Sequence, residues 1–112
     1  MNLTGKQRAF LISQSMSLDP IFQIGKDSVT PEYTDAISEA FNKREIIKIS
    51  VLNNCLDDPK TLAEMIAGRT KSTVVKVIGK KIVLYKPLKD VQKRRIDLNK
   101  LCIVDPAEKK KK

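Results

Sequence analysis

The chain has 112 residues and a formal net charge of +9, from 22 Lys and Arg against 13 Asp and Glu. That length suits one domain, and a hydrophobic content of 41% is enough for one modest core and too high for a disordered chain. There is no His, and Cys55 and Cys102 are too far apart for a metal knuckle, so the usual general base, the Ser-His and Cys-His dyads and the commonest zinc ligand are excluded and polyanion binding is favoured over catalysis.

Thr4-Gly5-Lys6-Gln7 reads as a helix start, with Thr4 and Gln7 in the capping-box spacing. Ala9, Phe10, Leu11 and Ile12 supply its apolar surface, and the helix is expected over 4–17, before Asp19-Pro20. Ile21 to Ile24 reads as a short strand stopped at Gly25. Thr30-Pro31-Glu32 starts a second helix over 31–44, with a hydroxyl cap, proline at the first helical position and an acid in the first turn. Ile46 to Leu52 is β-rich, and its Ile47, Ile49 and Val51 alternate with Lys48 and Ser50. Asp58-Pro59 opens a third helix over 59–69, with Leu62, Ala63, Ile66 and Ala67 on its buried stripe. Thr73 to Ile78 and Ile82 to Tyr85 read as strands joined by a tight turn at Gly79-Lys80, where glycine takes positive φ. The order is α-β-α-β-α-β-β, and all three helices are expected on one face of the sheet.

No apolar run reaches the ~18–20 residues of a membrane span, and the first 15 residues hold no uninterrupted apolar stretch of the kind a secretory signal needs. The two cysteines fit buried or half-buried free thiols in a reducing compartment, so a cytoplasmic location and no membrane partner are expected.

The order of elements makes a geometric statement. Strand–helix–strand units are parallel with right-handed crossovers, so the first three strands point the same way. Their carboxyl ends share one pole, with the loop Gly25-Lys26-Asp27-Ser28, the loop from Asn53 to Asp58 and the turn Gly79-Lys80-Lys81. A first helix antiparallel to the strand it feeds would return Lys6 and Arg8 to that pole. Five basic residues, Lys6, Arg8, Lys26, Lys80 and Lys81, then surround a helix amino end, whose amides and dipole favour a phosphate. Lys43, Arg44, Arg69 and Lys71 fall at helix carboxyl ends instead, where cations offset the dipole.

Charge is concentrated beyond Tyr85. Residues 86–112 carry 10 basic and 4 acidic side chains, and the chain ends in Lys109 to Lys112. Asp105-Pro106 ends any strand and adjacent lysines repel, so 105–112 are expected to be mobile.

Three stretches carry a family resemblance: Leu3 to Arg8, Gln23-Ile24-Gly25-Lys26, and Val77-Ile78-Gly79 running into Val83 to Pro87. In that order and spacing they resemble the bacterial YhbY-type family of single CRM domains (chloroplast RNA splicing and ribosome maturation), over about residues 2 to 88. The resemblance implies a two-layer α/β sandwich similar to the carboxyl-terminal domain of translation initiation factor three. It implies a four-stranded mixed sheet of order 1-2-4-3 with the last strand antiparallel. It divides the chain into a domain over 1–88 and a basic, largely flexible extension over 89–112. It implies RNA binding and association with precursors of the large ribosomal subunit. The family's loop usually reads Gly-x-x-Gly; here Gly25 and Lys26 match, and Ser28 stands in the place of the second glycine.

The expected RNA-contacting set is therefore Lys6, Arg8, Gly25, Lys26, Ser28, Lys80 and Lys81, with no catalytic residue, metal, cofactor or small-molecule substrate. The protein is expected to be a monomer when free and to bind precursor large-subunit ribosomal RNA by shape and phosphate. With only 3 Phe, 2 Tyr and no Trp, most of them claimed by the apolar pattern, a base-stacking platform is not expected. The alternative is a protein-interaction module. It would dock through the sheet face away from the helices, where Lys48, Ser50 and Lys76 mix with Val74 and Ile78, or that face would take the chain's own Leu101 to Val104 run. Asp57 and Asp58 are the nearest approach to paired carboxylates and read as loop and cap residues.

Overall fold

The computed structural model describes residues 3–26, 29–88, 94–98 and 100–103. Helix α1 (Gly5–Ser15) opens with the capping box: Gln7 N donates to Thr4 Oγ1 at 3.1 Å, and Thr4 N to Gln7 Oε1 at 3.0 Å. Helices α2 (Pro31–Ala40) and α3 (Pro59–Thr70) each begin with proline behind a capping side chain, Thr30 and Asp58. Strands β1 (Phe22–Ile24), β2 (Ile46–Val51), β3 (Thr73–Ile78) and β4 (Lys81–Tyr85) form one sheet of order β1-β2-β4-β3. β1 and β2 are parallel and β4 is antiparallel to both β2 and β3. The expected α/β sandwich, strand order and direction are all present, and Gly79 turns the hairpin at φ +57°.

The distribution of helices differs from the expectation. Alternation along β2 and β4 sends Ile47, Ile49, Val51, Ile82 and Leu84 into one core with Ile37 and Phe41 of α2 and Leu62 and Ile66 of α3. Ile46, Val83 and Tyr85 face the other way, into a second core with Leu11 of α1. Helix α1 therefore covers the opposite face from α2 and α3. Residues of the extension complete this second core. Ile96 is buried in it and Leu98 packs against it. Ile96 lies in β5 (Ile96–Asp97), which pairs with β6 (Cys102–Ile103) in a small antiparallel ribbon. The flexibility expected of the extension therefore does not hold at 96–98. Residues 105–112 lie outside the described residues.

A β-bulge explains a second difference. The register of β3 on β4 shifts between Val74 and Lys76. Val74 consequently packs toward α2 and α3, while Val75 enters the second core and Lys76 is exposed. A strict period of two would have put Val74 beside Lys76 and Ile78.

Glu45 ties the extension to the sheet. Its side chain is 7% exposed, and its Oε2 accepts from Arg95 N at 3.1 Å and Ile96 N at 2.9 Å. Tyr85 lies in the same core. Burial, reinforced by the Glu45 carboxylate and opposed by Arg94, raises its phenol from 10.0 to about 12. The unfolded chain releases that proton near its ordinary value, while the fold holds it to about 12. The contribution is therefore whole below pH 10 and is lost as pH rises toward 12. Thermal unfolding followed across this interval should show the wild type losing stability faster than Tyr85→Phe. Parallel losses would mean that other groups govern the alkaline limb.

Candidate functional site

The carboxyl ends of β1 and β2 meet the β3–β4 turn at one pole of the sheet. Leu52 N donates to Ile24 O at 2.8 Å, and Val51 N to Lys80 O at 2.7 Å. These bonds bring Gly25, the loop after β2 and the Gly79 turn together, as parallel strands require. Gly25 does not have positive φ. A methyl at that position would meet the side chains of Asn54 and Leu52 at 3.4 and 3.6 Å, the distances of ordinary van der Waals contact. Lys80 Nζ donates to Asn53 Oδ1, which holds the turn against the β2–α3 loop. Lys81 Nζ donates to Ser50 Oγ at 2.9 Å. Lys26 is exposed on the loop beyond Gly25. Both α2 and α3 begin where the β1 and β2 loops leave this pole, so two helix amino ends add partial positive charge.

Gly25, Lys26, Lys80 and Lys81 thus lie where the sequence placed them. Ser28 lies outside the described residues. Arg8 does not belong to this pole. Its Nη1 donates to Val74 O at 3.0 Å and also to Val75 O, the carbonyls at the bulge in the first half of β3. The Gly79 turn is at the other end of that strand. The physical reason is that α1 crosses the sheet instead of lying antiparallel to β1. Its beginning rests by β3, and its end is held near β2, where Lys48 Nζ donates to Ser15 O at 3.5 Å and Leu18 O at 3.4 Å. Lys6, in the same first turn as Arg8, is exposed at that helix end and not beside Gly25.

Four residues near the pole were not among those expected to contact RNA. Asn53 and Asn54 present carboxamides beside Lys80 and Gly25. Lys60 is exposed in the first turn of α3, a position already implied by the Asp58-Pro59 helix start. Lys76 is exposed on the face away from α2 and α3, and Ile78, two residues on, pairs with Lys81. The sequence already set Lys76 on that face; it is Val74 that the bulge moves off it. The top of that face reads across the sheet as Gln23, Ser50, Lys81 and Ile78. Lower down it is filled by α1 and Ile96. The mixed face expected for protein docking is therefore covered in its lower part, by α1 with Ile96 and Leu98, and open at its top.

Lys43 and Arg44 sit at the opposite end, after α2. They line a depression of about 530 Å³ together with Glu45, Arg95 and Ile96. The basic pole is by contrast built of exposed turns. Among the described residues no group of three or more His, Cys, Asp or Glu side chains could hold a metal ion, and no helix is long and apolar enough to cross a membrane. Both cysteines are free and half-buried.

Comparison with known proteins gives this geometry a family. The protein named Probable RNA-binding protein YqeI, from Bacillus subtilis, is 47% identical over 88 residues, covering 79% of this chain and 92% of that protein. A Haemophilus influenzae protein named RNA-binding protein is 29% identical over 90 residues, covering 80% of this chain and 91% of its own. The solution structure of the hypothetical protein SAV1595 from Staphylococcus aureus, ascribed to RNA binding, matches with a TM-score of 0.68 at 44% identity, over 80% of this chain and 93% of that one. Residues 3–86 match the CRS1 / YhbY (CRM) domain, and the chain belongs to that family.

Proposed function

We propose that this protein binds RNA through the pole around Gly25 and takes part in assembly of the large ribosomal subunit by holding precursor ribosomal RNA. The observation that carries the reading is the meeting of exposed Lys26, Lys80 and Lys81 with two helix amino ends, in a family whose relatives bear RNA-binding names. Lysines on turns suit phosphate, which positions a protein on RNA without reading sequence. The aromatic residues support the same mode. Phe22, Tyr33 and Phe41 pack in or against the first core, and Phe10 and Tyr85 in or against the second, which uses all five aromatic side chains. Even Tyr33 is fixed, its hydroxyl donating to Gln23 O at 3.0 Å and its ring 5.6 Å from that of Phe22. None is left to stack on bases, so contact is with backbone and helical shape. In this role the protein is a cytoplasmic binding factor, monomeric when free, that performs no chemistry on its RNA.

Crosslinking in cells followed by sequencing of the attached RNA tests the reading. Reads concentrated on one element of large-subunit ribosomal RNA are expected. Reads spread evenly over cellular RNA would sink the assembly role, and absence of crosslinked RNA would sink RNA binding itself.

A further inference from the structure

Leu56 is 99% exposed, the most exposed of the large apolar side chains among the described residues. A single leucine on a surface is ordinary. This one is held out by fixed neighbours on both sides. Cys55 N donates to Leu52 O at 3.1 Å and Cys55 packs against the first core. Two residues after Leu56, Asp58 accepts from Thr61 N at 3.3 Å and starts α3. The loop is also joined to the basic turn through Asn53 and Lys80. Leu52 and Ile78, 36% and 49% exposed, stand at the same pole. Apolar side chains are thus displayed among the cations that would hold phosphates.

Resting on the RNA reading, we infer that Leu56 is an apolar wedge that enters an irregular site in RNA, a bulge or internal loop, while Lys26 and Lys80 hold the flanking phosphates. A regular A-form helix offers no such entry: its major groove is too narrow for side chains and its bases are stacked. An unpaired base is already partly unstacked, so parting it from its neighbour costs least there, and a leucine inserted at the gap loses its contact with water. The cationic rim matches RNA, whereas an apolar protein partner would leave those lysines without counter-charge. The wedge supplies a preference for RNA shape that lysines alone do not.

The test uses the full chain with two probes, a perfectly paired RNA duplex and the same duplex carrying a short bulge beside a fluorescent base analogue. The wild type should bind the bulged duplex about tenfold more tightly, given what burying a leucine is worth, and should brighten the analogue by unstacking it. Leu56→Ala should bind both duplexes alike, with the wild-type salt slope and unchanged thermal stability. Leu56→Phe should keep the preference. Lys26→Ala with Lys80→Ala should weaken both complexes and preserve their ratio. A Leu56→Ala protein that retains the preference overturns the wedge and leaves RNA binding standing. Failure of the wild type to bind either duplex overturns RNA binding and the wedge with it. Leu56-dependent binding to phosphatidylserine vesicles, with no bulge preference, would assign the side chain to a membrane surface and overturn its role on RNA.

Discussion

Replacing Lys26 and Lys80 together by Ala is expected to flatten the salt dependence of RNA binding by about 1.5 log units per log of salt. Each lysine that neutralises a phosphate releases counterions, and each contact contributes roughly 0.7 to 0.9 to the slope. If the electrostatic gain vanishes near 1 M salt, the same slope change corresponds to a loss of about 30-fold at 0.1 M. Folding should be nearly indifferent, because both side chains are exposed on turns and such substitutions cost less than about 0.5 kcal/mol. Lys43→Ala with Arg44→Ala is the control, since that pair lies after α2 at the other end of the sheet. Filter binding or fluorescence anisotropy across a salt series reads the slopes. Equal flattening by both pairs would mean that attraction is diffuse and that the pole is not the site.

Arg8→Ala should do the reverse. Its guanidinium serves the carbonyls of Val74 and Val75 at the bulge of β3, and Ala leaves both without that donor. A partly buried acceptor deprived of its partner costs about 1 kcal/mol, which in a domain of this size lowers Tm by roughly 4–8 °C. The salt slope of RNA binding, measured well below the transition, should stay at the wild-type value. An unchanged Tm together with a flatter slope would return Arg8 to the RNA-contacting set. The two double variants and Arg8→Ala therefore separate charge used for binding from charge used for folding.

The contrast shows what the residues alone could reveal. Gly25, Lys26 and Lys80 could be placed together because parallel strands leave no choice about where their carboxyl ends lie. Caps were legible for the same kind of reason: Thr4, Thr30 and Asp58 act on amides only three residues away. Arg8 was misplaced because its position depends on the crossing angle of α1 and on a bulge. The first is set by packing between segments more than 60 residues apart, and the second is a register shift in the β3–β4 ladder that breaks the period of two. Ile96 and Leu98 were equally hidden. They sit next to Lys93-Arg94-Arg95, and two isolated apolar residues beside a basic run carry no periodic signal. The structure shows the segment docked, through the burial of Ile96, the packing of Leu98 and the buried Glu45 carboxylate accepting from Arg95 N and Ile96 N.

The two cores differ in how much chain must exist before they can form. The core under α2 and α3 draws its buried members from Ile24 to Leu84, one continuous stretch of chain. The core under α1 joins Leu3, Phe10, Leu11 and Ile12 to Ile96 and Leu98, more than 80 residues further along the chain. During synthesis α1 can therefore pack fully only once the segment around Ile96 has been made, while the sheet and two later helices can already be in place. Contacts of such long sequence separation form late and are slow to close. In the finished protein α1 and the segment around Ile96 should open together as one cooperative unit, below the free energy of global unfolding. Amide exchange would then release α1 and the segment around Ile96 at a common rate, ahead of β2 and β4.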